Sequence, residues 1–172
     1  VIFNDYFGFD VYQPPKENYI TPRVTIVKTD VRFPDSTKLP WAKRVNAVAY
    51  DESYQRIVAQ LASVYAARGH RVLVVSDRVQ LLKRCAEFTG DNATCITGEL
   101  DQATRDKEIE KIRTGELDIL YGSQSIFGEG ISVNELSALV LATPINNEPL
   151  LIQLIGRIIR KQEGKLQPVI VD

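Results

Sequence analysis

RVLVVSDRVQLLKRCAEF, residues 71–88, joins two periodicities back to back. Arg71-Val-Leu-Val-Val75 is a short, continuous apolar run rich in β-branched residues, the pattern of a strand buried on both faces. Ser76-Asp77-Arg78 interrupts it. From Val79 to Phe88 the spacing changes. Residues 79–88 read as a helix. A doubly buried strand feeding a helix is half of a βαβ unit, and such units build parallel sheets.

The alternation continues downstream. Residues 93–97 read as a strand, 102–113 as a charged amphipathic helix stopped by Thr114-Gly115, and 117–121 and 138–142 as strands. Residues 149–160 read as a helix and 168–172 as a last strand. Upstream, residues 51–68 form a helix with Ile57, Val58, Leu61, Val64 and Tyr65 on its apolar side and Gly69 as its stop. Residues 23–31 alternate and read as a strand, and residues 33–40, with two prolines, as a loop. The expected fold class is α/β: a parallel β-sheet with helices on both faces, in a single domain over residues 23–172. Residues 1–22, with Tyr12-Gln13-Pro14-Pro15 and Ile20-Thr21-Pro22, read as an irregular N-terminal arm. Val1-Ile2-Phe3 resembles mid-protein sequence, and the sequence stops inside an apolar strand, so a piece of a longer chain is expected.

The composition is that of an ordinary globular domain, with 44% hydrophobic and 25% charged residues. The net charge of -1 supplies no global basic field. Composition by itself favours a chain that touches no nucleic acid, so any such contact must be a local patch or shared with another domain. No apolar run approaches the roughly 20 residues of a membrane span, and the opening residues do not read as a signal peptide. Cys85 and Cys95 have no CxxC partner and read as buried thiols in a reducing compartment. The lone His70 follows Arg68-Gly69 and reads as part of a helix end, with no metal constellation around it.

Chemistry in such sheets collects at the carboxyl ends of the strands. Four constellations lie there or on the last helix. The first is Gln153-Leu-Ile-Gly-Arg157-Ile-Ile-Arg160. Gln153, Arg157 and Arg160 are spaced to share one helical face, and Gly156 admits a close neighbouring backbone. The other positions are apolar nearly all round, so the helix is expected to be largely buried with one polar stripe. Its arginines either pair with internal carboxylates or grip an anion such as phosphate. No GxxxxGK[ST] cradle and no acidic pair for Mg²⁺ occurs in the chain. Any nucleotide must then be held by another domain and met in trans, as arginine fingers do.

The second constellation is residues 122–133, GSQSIFGEGISV, an ordinary Gly-rich loop or a phosphate and sugar cradle that includes Ser123, Gly130 and Ser132. The third is Val75-Ser76-Asp77-Arg78, where Ser76 or Asp77 caps a helix, or Ser76 and Arg78 meet a backbone phosphate, or both hold. The fourth is Thr97-Gly98-Glu99 followed by Gln102-Ala-Thr-Arg105, with Asp101 as N-cap. Arg105 sits among Asp106, Lys107, Glu108, Glu110 and Lys111, where a solvated charged face is the default.

In order and spacing, these pieces resemble the second RecA-like domain of superfamily-two (DEAD/DEAH-like) helicases. Residues 153–160 match the family's QxxGRxxR motif VI. Gly130-Ile-Ser132 resembles motif V, Val72 to Arg78 motif IV, and Gln102 to Arg105 the QxxR element. The likeness covers roughly residues 71–172 and is nearest the phage UvsW-type branch, in which Ser132 stands where many relatives carry aspartate. It implies a C-terminal lobe of an ATP-dependent DNA helicase or translocase. Arg157 and Arg160 would reach ATP, with its Mg²⁺, bound on an N-terminal RecA-like lobe. Gln153, Gly156, Gly130 and Ser132 would line the same cleft. Ser76, Arg78, Thr97, Gly98, Arg105 and Ser123 would face single-stranded or branched DNA. The lobe alone is expected to hydrolyse nothing. The implied compartment is cytoplasmic, that of the host cell for a phage protein, with no membrane partner. Rival readings are an RNA helicase or restriction-type translocase lobe, a standalone binding module, and a flavodoxin- or Rossmann-like small-molecule protein. The last leaves residues 153–160 unexplained and lacks GxGxxG after the first strand of the alternation.

Overall fold

The computed structural model describes residues 18–32, 34, 38–128 and 133–172. Six strands form one all-parallel sheet: β1 (Arg23–Thr25), β2 (Arg71–Ser76), β3 (Ala93–Ile96), β4 (Ile119–Ser123), β5 (Leu136–Leu141) and β6 (Val169–Val171). Their spatial order is β1-β6-β5-β2-β4-β3, so β2 lies inside the sheet between β5 and β4. The helices are α1 (Trp41–Ala49), α2 (Glu52–Ala67), α3 (Val79–Thr89), α4 (Gln102–Thr114), α5 (Gln124–Gly128) and α6 (Glu148–Ile158).

The apolar run at residues 72–75 is continuous because β2 is covered on both sides. Val72 and Val74 pack with Val58, Ala62, Tyr65, Leu81, Leu82 and Cys85 of α2 and α3. Leu73 and Val75 face the other layer, with Ile109, Ile112, Ile126, Phe127, Leu154 and Ile158 of α4, α5 and α6. Adjacent strand residues point to opposite faces, so four consecutive apolar side chains feed two cores. Burying each such side chain stabilises by about 1.5–3 kcal/mol.

Several expectations shift. The first strand is three residues long rather than nine: β1 is an edge strand that pairs with β6 over Arg23–Thr25. Helix α1 occupies a stretch, residues 41–49, for which no element is expected from sequence. Its N-cap, Pro40, makes no side-chain capping bond, and only Val45 and Ala49 are buried, so little in its pattern announces it. Val64 lies on the exposed side of α2, and Gln55, Ala59 and Ala62 join Val58 and Tyr65 in the buried stripe. Gly69, at φ 88°, ends α2 while the His70 N–H closes onto the Tyr65 carbonyl. The buried His70 ring meets Ser137 Oγ through Nδ1 at 3.0 Å. Both cysteines are free, and burial pushes the Cys85 thiol up to about 12 and the Cys95 thiol up to about 11, as expected of inert thiols. Residues 1–17 of the expected arm lie outside the described residues. Residues 18–20 run beside the end of α6, with Tyr19 in an antiparallel bridge to Arg160.

Candidate functional site

The carboxyl ends of β2, β3 and β4 and the loop after β5 meet on one rim. Ser76, the last residue of β2, is 0% exposed. Its hydroxyl lies 3.0 Å from Thr143 Oγ1 and accepts the Arg78 N–H at 2.9 Å. Thr143 Oγ1 donates to Asp77 Oδ1 at 3.0 Å and accepts the Asp77 N–H at 3.3 Å. A threonine hydroxyl has one proton, and Asp77 takes it, so Ser76 must be the donor to Thr143. The network locks the turn after β2 to Thr143. Arg78 then reaches outward, its Nε donating to Asn46 Oδ1 at 2.6 Å and its Nη1 pairing with Asp77 at 2.7 Å.

Thr97 follows β3 and is buried, whereas Gly98 is exposed. Asp101 caps α4 by accepting from the Thr104 N–H and hydroxyl, which hold its carboxyl below the usual range. Arg105 Nε turns back onto the Leu100 carbonyl at 2.8 Å. Ser123 ends β4, buried, 3.2 Å from the Ser125 hydroxyl. The expected Gly-rich loop begins instead as the short helix α5. Gly130 and Ser132 lie outside the described residues.

Two open cavities share Gln124 and Ser125. One, of about 450 Å³, is lined by Asp77, Val79, Gly98, Glu99, Ser123 and that pair. The other, of about 410 Å³, adds Asn147, Pro149, Leu150 and Gln153. Together they make a groove from the turn after β2 to the first turns of α6. Gln124 Nε2 is buried there with no hydrogen-bond partner among the described residues. The groove thus brings Gly98, Ser123 and Gln153 together, with Ser76 and Arg78 on either side of Asp77. Thr97 supports the rim from below, and Arg105 is directed to the loop before its own helix.

Helix α6 departs from the expected picture. Asn147 caps it by accepting the Leu150 N–H at 3.1 Å. Leu154 and Ile158 are buried against the sheet, but Ile152 is 61% exposed, so the helix is apolar beyond what its own core requires. It ends at Ile158. The Ile159 carbonyl accepts from the Ile20 N–H and the Lys161 N–H donates to Asn18, so the backbone leaves the helix for the 18–20 segment. Arg160 is therefore not on the helical face with Gln153 and Arg157. A Cβ built on Gly156 meets nothing within 4 Å among the described residues.

Arg157 is half-buried. Desolvation and then the like charge of Arg160 push its guanidinium below its ordinary value. Lys165 joins this group. Desolvation and Arg160 push its ammonium down to about 8, against the opposing pull of Glu135, while its Nζ donates to the Asn134 carbonyl at 2.8 Å. Sequence reasoning passed over Lys165 as part of a Gly-Lys pair outside any P-loop. It also passed over Asn46 and Gln124, which carry no motif. Among the described residues, no three His, Cys, Asp or Glu side chains converge to hold a metal. No described helix is long and apolar enough to cross a membrane.

The family model described as "Helicase conserved C-terminal domain" matches residues 53–162. The chain belongs to this family. It is a superfamily-two helicase C-terminal domain of the phage UvsW-type branch, with the RecA-like sheet that the family implies. The helicase domain is similar to the "Probable helicase D10" of Escherichia phage T5, 40% identical over 175 residues, covering 100% of this chain and 39% of that protein. It is similar to the "ATP-dependent DNA helicase uvsW" of Enterobacteria phage T4, 26% identical over 150 residues, covering 83% of this chain and 30% of that protein. The crystal structure of T4 UvsW superposes with a TM-score of 0.63 at 23% identity, over 79% of this chain and 28% of that one. The chain thus spans well under half the length of these relatives.

Proposed function

We propose that this helicase domain is the second motor lobe of an ATP-dependent DNA helicase or translocase. Its Arg157 and Arg160 act as arginine fingers on ATP and Mg²⁺ held by an N-terminal RecA-like lobe. When bound, ATP supplies the γ-phosphoryl group whose transfer to water drives motion. The observation that carries this reading is the half-buried Arg157 on α6 with the exposed Arg160 close enough for its like charge to act on it. Neighbouring like charges favour an arriving polyanion, so the residues fit a triphosphate. The open space over Gly156 and the exposed Ile152 leave that face of α6 available to a second lobe. Gln153 lies one turn before Arg157 on the same face and orients the same ligand, a role that Gly130 and Ser132 share in this reading.

The groove ending at Gln153 is the DNA path. Gly98 and the Ser125 hydroxyl of α5 offer backbone and side-chain donors, which position a phosphodiester without reading its sequence. The buried Ser76 and Thr97 hold the rim, and Arg78 presents its charge from it. Ser123 anchors α5, and Arg105 fixes the loop that carries Gly98. The path and the arginines share α6, so closure of the lobes on ATP alters the groove. The domain alone lacks a nucleotide cradle and turns over no ATP.

The test is DNA-stimulated ATP hydrolysis by the two-lobed protein, comparing Arg157→Ala and Arg160→Ala with wild type. Turnover falls by about 10³ while ATP and DNA still bind, as expected for fingers. Unchanged turnover with earlier melting makes the pair a structural ion site and ends this reading.

A further inference from the structure

Helix α1 and the residues beside it carry exposed surface outside the proposed motor cycle. Between Asp35 and Asp51 the sequence holds Lys38, Lys43 and Arg44 and no carboxylate, in a chain of net charge -1. The same stretch exposes three large apolar side chains: Leu39, Trp41 at 48% and Tyr50 at 50%. Exposed apolar groups gathered among cations mark a surface that meets something both anionic and flat. The Arg44 guanidinium lies 5.8 Å from the centre of the Trp41 ring, and Arg44 Nε is fixed on the Pro34 carbonyl at 2.9 Å. Trp41 is thereby paired with a cation that stays in place.

The position of α1 names the partner. Asn46, in the same helix, receives Arg78 Nε, and the Tyr54 hydroxyl just beyond donates to the Ala142 carbonyl at 2.8 Å. Helix α1 therefore stands on the rim formed by the carboxyl ends of β2 and β5, beside the turn that borders the groove. We propose that α1 extends the nucleic-acid path, with Trp41 as a stacking platform for an unpaired base and Lys38, Lys43 and Arg44 drawing in the adjacent phosphates. This rests on the groove being a nucleic-acid path. An aromatic platform is useful only to bases freed from pairing, so the surface selects single strands over duplex.

Trp41 is the chain's only tryptophan, so its fluorescence reports this surface alone. Unlabelled oligothymidylate titrated into the protein quenches that emission saturably, while an equal duplex does not. In parallel, anisotropy of a labelled oligothymidylate gives affinity for wild type, Trp41→Ala and Lys43→Glu. Trp41→Ala weakens binding by about tenfold, consistent with loss of one stacked base. Lys43→Glu weakens it with a shallower salt dependence. Both side chains are exposed, so melting temperatures stay unchanged. If the oligonucleotide binds but Trp41 emission and Trp41→Ala affinity do not change, this inference fails and the groove reading stands. Equal quenching by duplex overturns the stacking role. If no oligonucleotide binds even wild type, the groove reading falls and takes this one with it.

Discussion

Thr143 Oγ1 accepts the Asp77 N–H at 3.3 Å and returns its own proton to Asp77 Oδ1 at 3.0 Å. Sixty-six residues apart in sequence, the two lock the turn after β2 onto the loop after β5. The position of Arg78 depends on that lock.

Replacing Thr143 by valine keeps the shape and removes the hydroxyl. The buried Ser76 then loses its partner and the exposed Asp77 loses one as well, at a cost of about 1–3 kcal/mol. Urea denaturation checks this, and Thr143→Ser restores most of the loss. A valine variant as stable as wild type refutes the coupling.

Gly122 lies in β4 beneath the ring of Phe127. A Cβ there would sit 2.5 Å from Cε2 and 2.7 Å from Cζ of that ring. Gly122→Ala therefore destabilises by about 1–3 kcal/mol through overpacking. The double variant with Phe127→Leu recovers part of that, and strict additivity of the two changes would show that the ring is not the obstacle.

Gly156 gives the opposite result. Nothing among the described residues crowds it, and alanine is the better helix former, so Gly156→Ala raises the stability of this domain by up to about 1 kcal/mol. In the two-lobed protein the same change lowers ATP turnover, because the added methyl meets the facing lobe. Thermal melting of the domain and hydrolysis by the whole protein, measured side by side, decide it. Full turnover with raised stability removes any role for Gly156 in lobe contact.

Lys165 makes stability pH-dependent. Its folded pKa, about 8, is below its ordinary value of 10.5, so the folded state holds its proton less tightly than the unfolded chain. The penalty for its charge is in full force below pH 8 and is relieved as pH rises from 8 to 10.5. Comparison of wild type with Lys165→Met cancels the other titrating groups. The wild type gains stability relative to the variant across that window. A difference that does not vary with pH shows that Lys165 is ordinary.

Residues 71–88 made the layered parallel sheet legible, because a strand apolar on both faces has few other homes. Residues 153–160 made a helix legible there, but their spacing carried it through Arg160, whereas it ends at Ile158. What escaped has physical reasons. The end of α6 depends on backbone bonds to Asn18 and Ile20, more than a hundred residues away, and no helix-stop residue announces it. Helix α1 lacks a capping side chain and a wide apolar stripe. Helix α5 lies in glycine- and serine-rich sequence that favours a loop, and packing of Ile126 and Phe127 against the sheet overrides the propensity. In the site, Ser76, Gly98, Ser123 and Gln153 were legible from motif order, but the Thr143 lock and the Lys165 charge are tertiary facts. Each requires knowing which loops meet.

The short ladder between residues 18–20 and 159–161 is made of main-chain atoms. The side chains at 18, 19 and 20 are therefore nearly free to vary without moving Arg160. The backbone there is not. A proline at position 20 would delete the N–H that holds the Ile159 carbonyl. The address of the second arginine is written in amide geometry, where a comparison of side chains would not find it.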